Sequence, residues 1–260
     1  MKLSIYQADA FAENIFEGNP AAVVPLEKWL PDSIMQNIAL ENNLSETAFF
    51  IKTEKGFHIR WFTPGAEVDL CGHATLATAH VLFNHLDYAG NRIEFESKSG
   101  ILTVKKENDL LILDFPASDI EEIDVPPNLA AAFNFHPVKC IKGRDDLMLI
   151  FKKEEEILNL QPDLLKIMES DTRGIICTAP SEKYDFVSRF FAPAVGVNED
   201  PVTGSAHTML VPYWAKQLNN KELLAKQVSK RGGILYCKDL GRRVEIGGRS
   251  VTYFVGEITI

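Results

Sequence analysis

The sequence is short of the features that would place it on a membrane, a metal or a nucleic acid. Its four cysteines, Cys71, Cys140, Cys177 and Cys237, are scattered, with no CxxC pair and no ligand spacing, and there is no HExxH, so no metal site is expected. No run of about 18 apolar residues is present, which excludes a helical membrane span. Basic residues are outnumbered: 27 Lys and Arg face 36 Asp and Glu, for a net charge of −9. A nucleic acid or an anionic membrane needs a basic face, so neither is expected as a partner. No GxGxxG follows a strand, and RGG at Arg231 to Gly233 is too short for a phosphate loop. The opening MKLSIYQADAF lacks the apolar core of a signal peptide and reads as a β-strand. These absences together predict a reduced, cytoplasmic protein whose partner is a small molecule.

What is present is enough to fold and is written twice. With 260 residues, 46% of them hydrophobic, the chain can bury a full core in one or two domains. RWFTP at Arg60 to Pro64 recurs as RFFAP at Arg189 to Pro193, an offset of 129 residues. That period is too long for a solenoid unit and reads as two copies of one small domain. Without gaps, the alignment sets Glu46 opposite Ile175 and Cys71 opposite Asp200.

The order of elements also repeats. Ser33 to Asn43 has helical period with Asp32 or Ser33 as cap; the strands TAFFIK and FHIRWF follow, then a helix from Gly72. The second half matches with a helix over Glu156 to Met168, the strands GIICTA and YDFVSRFF, and a helix near Gly204 that Pro212 should kink or end. Three strand-like runs close each half. The expected domains are 1–115 and 128–260, with the final strand able to pack onto the first half. The acidic, proline-rich PASDIEEIDVPP, residues 116–127, is expected to link them. Helices and strands do not alternate as βαβ, so the fold class is α+β: two related domains, each a bent, mostly antiparallel sheet. GHATLATAHVLF is apolar or small nearly all round and should be a central helix wrapped by its sheet.

Helix starts at Gly72 and Gly204 offer free N–H groups and a glycine that lets a ligand approach, which suits a carboxylate. Taken singly, Gly or Ser at such a position is ordinarily only a cap. Glu46 heads a buried strand, an odd place for an acid unless it serves as a general base, although a lone Glu is often a solvated cap. Asp200 before Pro201 is equally a turn former, and His73 equally a structural histidine. Three titratable groups near two helix starts favour a catalytic cleft between the halves.

EGNPAAVV (Glu17 to Val24), LSETAFF (Leu44 to Phe50), DLCGHATLATAH (Asp69 to His80) and EDPVTGSAH (Glu199 to His207) together resemble the PhzF-type family of phenazine biosynthesis. That family belongs to the diaminopimelate-epimerase-like superfamily, and the resemblance covers both halves. It implies a homodimeric isomerase that shifts a proton without any cofactor. Glu46 matches the catalytic carboxylate, His73 a proton-handling histidine and Asp200 a second carboxylate. Gly72 and Gly204 match the backbone donors that hold the substrate carboxylate, Ser205 matches a substrate-binding serine, and Asn19 of the GNP motif is expected to bind substrate too. Racemases of the superfamily use one thiol from each half. Cys71 stands at the first such position and the second half supplies none, so a two-thiol racemase is disfavoured and Cys71 is expected to be structural. The competing readings are an amino-acid epimerase and a metabolite-binding protein without turnover.

Overall fold

The computed structural model describes Met1–Ile260 as two compact units. Unit 1 comprises Met1–Asp114 with Gly247–Ile260, and unit 2 comprises Phe115–Ile246. Unit 1 opens with strands β1 (Lys2–Ala10) and β2 (Asn19–Leu26), helix α1 (Asp32–Asn42), and strands β3 (Glu46–Lys52) and β4 (Phe57–Phe62). The short β5 (Glu67–Val68), helix α2 (Gly72–His85), and strands β6 (Arg92–Ser97), β7 (Gly100–Glu107) and β8 (Leu110–Pro116) follow. Unit 2 begins with β9 (Glu121–Ile123), α3 (Pro127–Ala130), β10 (Lys139–Lys142) and β11 (Asp146–Ile150). Two short helices, α4 (Glu154–Leu158) and α5 (Leu164–Met168), then lead to β12 (Gly174–Pro180), β13 (Phe186–Ala192) and β14 (Val197–Asp200). Helix α6 (His207–Leu218) and strands β15 (Glu222–Gln227), β16 (Gly233–Asp239) and β17 (Arg243–Gly248) complete it. The last strand, β18 (Ser250–Thr259), lies antiparallel to β1 within unit 1.

Strand pairing has the same sense in both units. In unit 1, β2 runs parallel to β3, β3 antiparallel to β4, β4 parallel to β6, and β6 antiparallel to β7. In unit 2, β11, β12, β13, β15 and β16 repeat that series step for step. The register corrects the ungapped alignment by one residue. Ala48 pairs with Trp61 and Ile176 with Phe190, so the counterpart of Glu46 is Gly174, not Ile175. Ser45 accordingly corresponds to Arg173.

Each RxF motif packs in the same way. Arg60 lies over Phe62 and grips Glu67 through Nε and a terminal nitrogen at 2.7 and 2.9 Å. Arg189 lies over Phe191 and grips Glu199 at 2.7 and 3.0 Å. The arginine leads its glutamate by seven positions in the first copy and ten in the second, so the second carries three extra residues in that loop. Glu67 and Glu199 are therefore equivalent, and so are Cys71 and Thr203, Gly72 and Gly204, and His73 and Ser205. Cys71 does not stand opposite Asp200. Phe62 joins Phe49, Val24, Met35 and Ile38 under α1, and Phe191 joins Leu149, Cys177, Ile157 and Ile167 under α4 and α5.

Helix α2 is buried from His73 to Ala79, and its two threonines are accommodated by bonding back to the carbonyls one turn earlier: Thr75 to Cys71 at 2.6 Å and Thr78 to Ala74 at 2.7 Å. Four expectations fail. Pro31, not Asp32 or Ser33, precedes α1 as its cap. The helix expected over Glu156 to Met168 is two helices, because Pro162 interrupts it and forms an isolated bridge to Phe133. The 116–127 segment is part of unit 2, with β9 paired to β10. Finally, α6 starts at His207, after a turn over Gly204 to Ala206, and runs through Pro212 to Leu218. Proline removes the bond to the carbonyl of Thr208, and the Ser118 N–H takes that carbonyl instead at 3.1 Å.

The Arg60 pair and two buried imidazoles set the acid stability. Arg60 holds the Glu67 carboxyl at about 2 against the opposing effect of burial. That stabilisation is complete above the ordinary value of 4.5 and is lost as the pH falls toward 2. Glu67→Gln is expected to destabilise the protein by about 2 kcal/mol at neutral pH and to flatten the acid limb in this window, because Asp32 remains as a partner for Arg60. At higher pH, burial pushes His80 and His207 down to about 4, so the unfolded chain binds protons that the folded one refuses and stability declines from pH 6.5 toward 4. Denaturant unfolding from pH 2 to 8 checks both windows.

Candidate active site

The site in unit 1 is built where β2, β3 and α2 begin. The Gly18 backbone has φ +65, and a Cβ there would lie 2.2 Å from the Ala10 carbonyl oxygen, so only glycine permits the turn that delivers Asn19 to the head of β2. Asn19 is fully buried. Its Oδ1 accepts from Ser45 Oγ at 3.2 Å, and its Nδ2 lies 3.3 Å from His73 Nδ1. On the other edge of the imidazole, His73 Nε2 stands 3.0 Å from Glu46 Oε2. The two atoms are near enough for an ion pair but out of line for a hydrogen bond, so both are buried without an aligned partner.

Cys71 Sγ touches His73 Nδ1 at 3.6 Å. Burial, reinforced by Glu46, pushes the thiol up to about 11, so it stays protonated at neutral pH. Burial also opposes a charge on His73, whereas the sulfur and Glu46 favour it. Together these two neighbours hold the imidazole well above its usual value. Glu46, Cys71 and His73 bring three potential metal-ligand atoms within 4.8 Å of one another. The sulfur and the carboxylate meet opposite nitrogens of the ring, an arrangement that suits proton exchange at both edges better than a shared ion. The amides of Gly72 and His73 open α2 without a backbone acceptor.

The equivalent corner of unit 2 is differently furnished. Gly174 replaces Glu46, and its vacant Cβ position is filled by the Phe190 ring, 2.3 Å from where a Cβ would be. Arg173, in the place of Ser45, lies over that ring. It grips the buried Asp146 with Nε at 2.9 Å and with NH2, and NH2 also donates to Ser205 Oγ at 3.1 Å. Asp200 ends β14 and accepts from Thr203 Oγ1 at 2.5 Å, and the Gln227 side chain ties Thr203 N–H to the Asp200 carbonyl. The amides of Gly204, Ser205 and Ala206 make no backbone hydrogen bond. His207 donates from Nδ1–H to the Thr203 carbonyl, 2.9 Å away, and its Nε2 is buried without a partner.

Comparison with known proteins gives the family of the chain. The profile of the phenazine biosynthesis-like (PhzC–PhzF) family matches residues 8–256. The chain belongs to this family. It is 49% identical to an uncharacterized isomerase of Pseudomonas aeruginosa over 260 residues, all of both chains. A mouse phenazine biosynthesis-like domain-containing protein is 40% identical over 292 residues, again covering both chains fully. The crystal structure of a PhzF-family protein of Enterococcus faecalis superimposes with a TM-score of 0.98 at 49% identity and full coverage of both chains. A hydroxyproline epimerase of Agrobacterium vitis shares the fold alone, with a TM-score of 0.64 at 8% identity, covering 99% of this chain and 92% of its own. The protein is an isomerase of the PhzF type, with the epimerase-like α+β fold.

Within this PhzF-type chain the structure brings Glu46, His73 and Asn19 together in unit 1, and Asp200, Gly204 and Ser205 together in unit 2. Asn19 spends its side chain on His73 and Ser45, the contacts of a residue that orients the imidazole. Sequence reasoning missed Arg173, Asp146, Ser45 and Gln227. Only the one-residue register shift, invisible in an ungapped alignment, reveals that Arg173 and Ser45 are counterparts. All four cysteines are free and buried, and burial raises each thiol above its ordinary value. The folded protein at pH 7.5 is therefore expected to resist a thiol reagent such as dithionitrobenzoate, with all four groups reacting after unfolding; rapid native labelling of Cys71 would contradict its assignment as a protonated, enclosed thiol.

Proposed function

We propose that this isomerase moves a proton on a small carboxylate-bearing metabolite by general acid–base catalysis, without a cofactor. Glu46 takes a proton from a carbon next to an activating group, and the C–H electrons pass into that group. The proton returns at a different carbon, from Glu46 or from Asp200 in its acid form. In the second case Glu46 then loses its proton to solvent and Asp200 regains one, so substrate and product have the same atoms and charge and the enzyme is restored. His73 supports the exchange through its contact with Glu46, and Asn19 holds the ring. Gly72, Gly204 and Ser205 receive the carboxylate. The observation that carries this reading is the pair of buried, unaligned polar atoms, Glu46 Oε2 and His73 Nε2, 3.0 Å apart: a base and its proton partner with hydrogen-bonding capacity left over.

Incubation in deuterated water with a panel of small carboxylic acids is expected to label one substrate carbon, read by mass spectrometry. Glu46→Gln should slow labelling by about 10²- to 10⁴-fold. Labelling unchanged by that substitution would remove Glu46 as the base. If Asp200 serves the same substrate, Glu46→Gln and Asp200→Asn together should cost less than the product of their separate effects.

Homodimeric assembly in the cytoplasm is part of the same proposal. No helix is long and apolar enough to cross a membrane, and the four reduced thiols suit a reducing compartment. Strand β18 exposes Tyr253, Phe254 and Val255 in succession, next to exposed Phe16, whose ring meets Tyr253. Sedimentation is expected to give twice the chain mass, falling to one chain mass in Tyr253→Asp/Val255→Asp.

A further inference from the structure

Arg173 belongs to no motif and lies outside the catalytic assignment, yet its bonding is lopsided in an informative way. Nε and NH2 hold Asp146, which is buried, and NH2 reaches Ser205 Oγ at 3.1 Å. Guanidinium can only donate. The Ser205 oxygen is therefore used as an acceptor by Arg173, and its own O–H proton must be donated elsewhere. No acceptor within the protein takes that proton, and none takes the two N–H groups of Arg173 NH1. Arg173 and Ser205 thus turn donors that no protein acceptor takes toward solvent, on a guanidinium that the buried Asp146 and the Phe190 ring hold in place and that Asp145 and Asp200 also attract.

The strand register supplies an independent argument. Arg173 occupies the position of Ser45, and Ser205 that of His73. In unit 1 Ser45 reaches His73 through Asn19, by contacts of 3.2 and 3.3 Å, whereas in unit 2 Arg173 reaches Ser205 directly. Both copies use the residue before the third strand to brace the residue after the helix-start glycine.

We infer that Arg173 is a positioning and specificity residue: it fixes Ser205 as a hydrogen-bond donor and makes this end of the site select a free carboxylate over the corresponding carboxamide. The inference rests on the proposed function. The Arg173 side chain is 41% exposed and Ser205 half-buried, so both meet solvent until a ligand displaces it. An amide nitrogen then brings hydrogens to a place that already has only hydrogens, whereas both oxygens of a carboxylate accept.

The test uses deuterium exchange with the acid that the panel identifies and with its primary amide. The wild type is expected to show a KM for the acid about 100-fold below that for the amide. Arg173→Met is paired with Asp146→Leu, so that no buried carboxylate is left alone. That double variant is expected to raise the KM of the acid about 10- to 100-fold with kcat within a few-fold, and to erase the preference for acid over amide. Ser205→Ala should do the same, and adding it to the double variant should change little further, because Arg173 acts through Ser205. Arg173→Lys should restore part of the preference, and it decides the matter if the double variant does not fold. Exchange in the wild type with acid-over-amide selectivity unchanged in these variants would overturn the inference alone. No exchange by the wild type with any acid would overturn the proposed function, and the inference with it.

Discussion

The structure depends on one interaction made twice, a forked arginine–glutamate pair laid over a phenylalanine. Arg60 and Glu67, and Arg189 and Glu199, are all largely withdrawn from solvent. Breaking such a pair leaves the remaining charge withdrawn from water and short of a partner, so its geometry constrains whatever is attached to it. What is attached is the loop into the site. Each glutamate lies four residues before the residue that precedes the helix-start glycine: Glu67 before Cys71 and Glu199 before Thr203. By tying that loop to the neighbouring strand, the ion pair sets where the free amides of Gly72 and Gly204 point and where His73 and Ser205 begin.

On this shared frame the two copies have been fitted for different tasks. Unit 1 keeps a carboxylate, an imidazole and a thiol within reach of one another, with the thiol protonated and the imidazole biased toward its charged form by Glu46. Unit 2 has no base at the position of Glu46. Glycine and a phenylalanine ring occupy it, and a donor-only arginine beside a serine takes over the neighbouring space. Three extra residues in the loop before Glu199 lengthen β14 relative to β5, and its last residue, Asp200, stands where unit 1 has Val68. A symmetric pair of thiols has no place here, since the position equivalent to Cys71 in the second copy is Thr203.

Much of this was legible in the chain itself. The doubled RxF motif, the α+β order of elements, the enclosed helix after Gly72 and the residues Glu46, His73, Asp200 and Ser205 were all readable, because periodicity, glycine and local motif are short-range properties. Helix ends were less so: Pro212 looked like a breaker, and it is tolerated only because Ser118, 90 residues away, satisfies the carbonyl that proline leaves free.

The sequence by itself determined that there are two copies of one fold, what each helix and strand is made of, and which titratable side chains stand at the heads of β3 and α2 and at the end of β14. The tertiary structure alone decided how the copies align and who touches whom. A strand slipped by one residue and a loop lengthened by three leave composition and motif unchanged but move every side chain to a new partner. That is why Glu46 proved to correspond to a glycine in the other copy, and why Arg173, unremarked in the sequence, stands against Ser205.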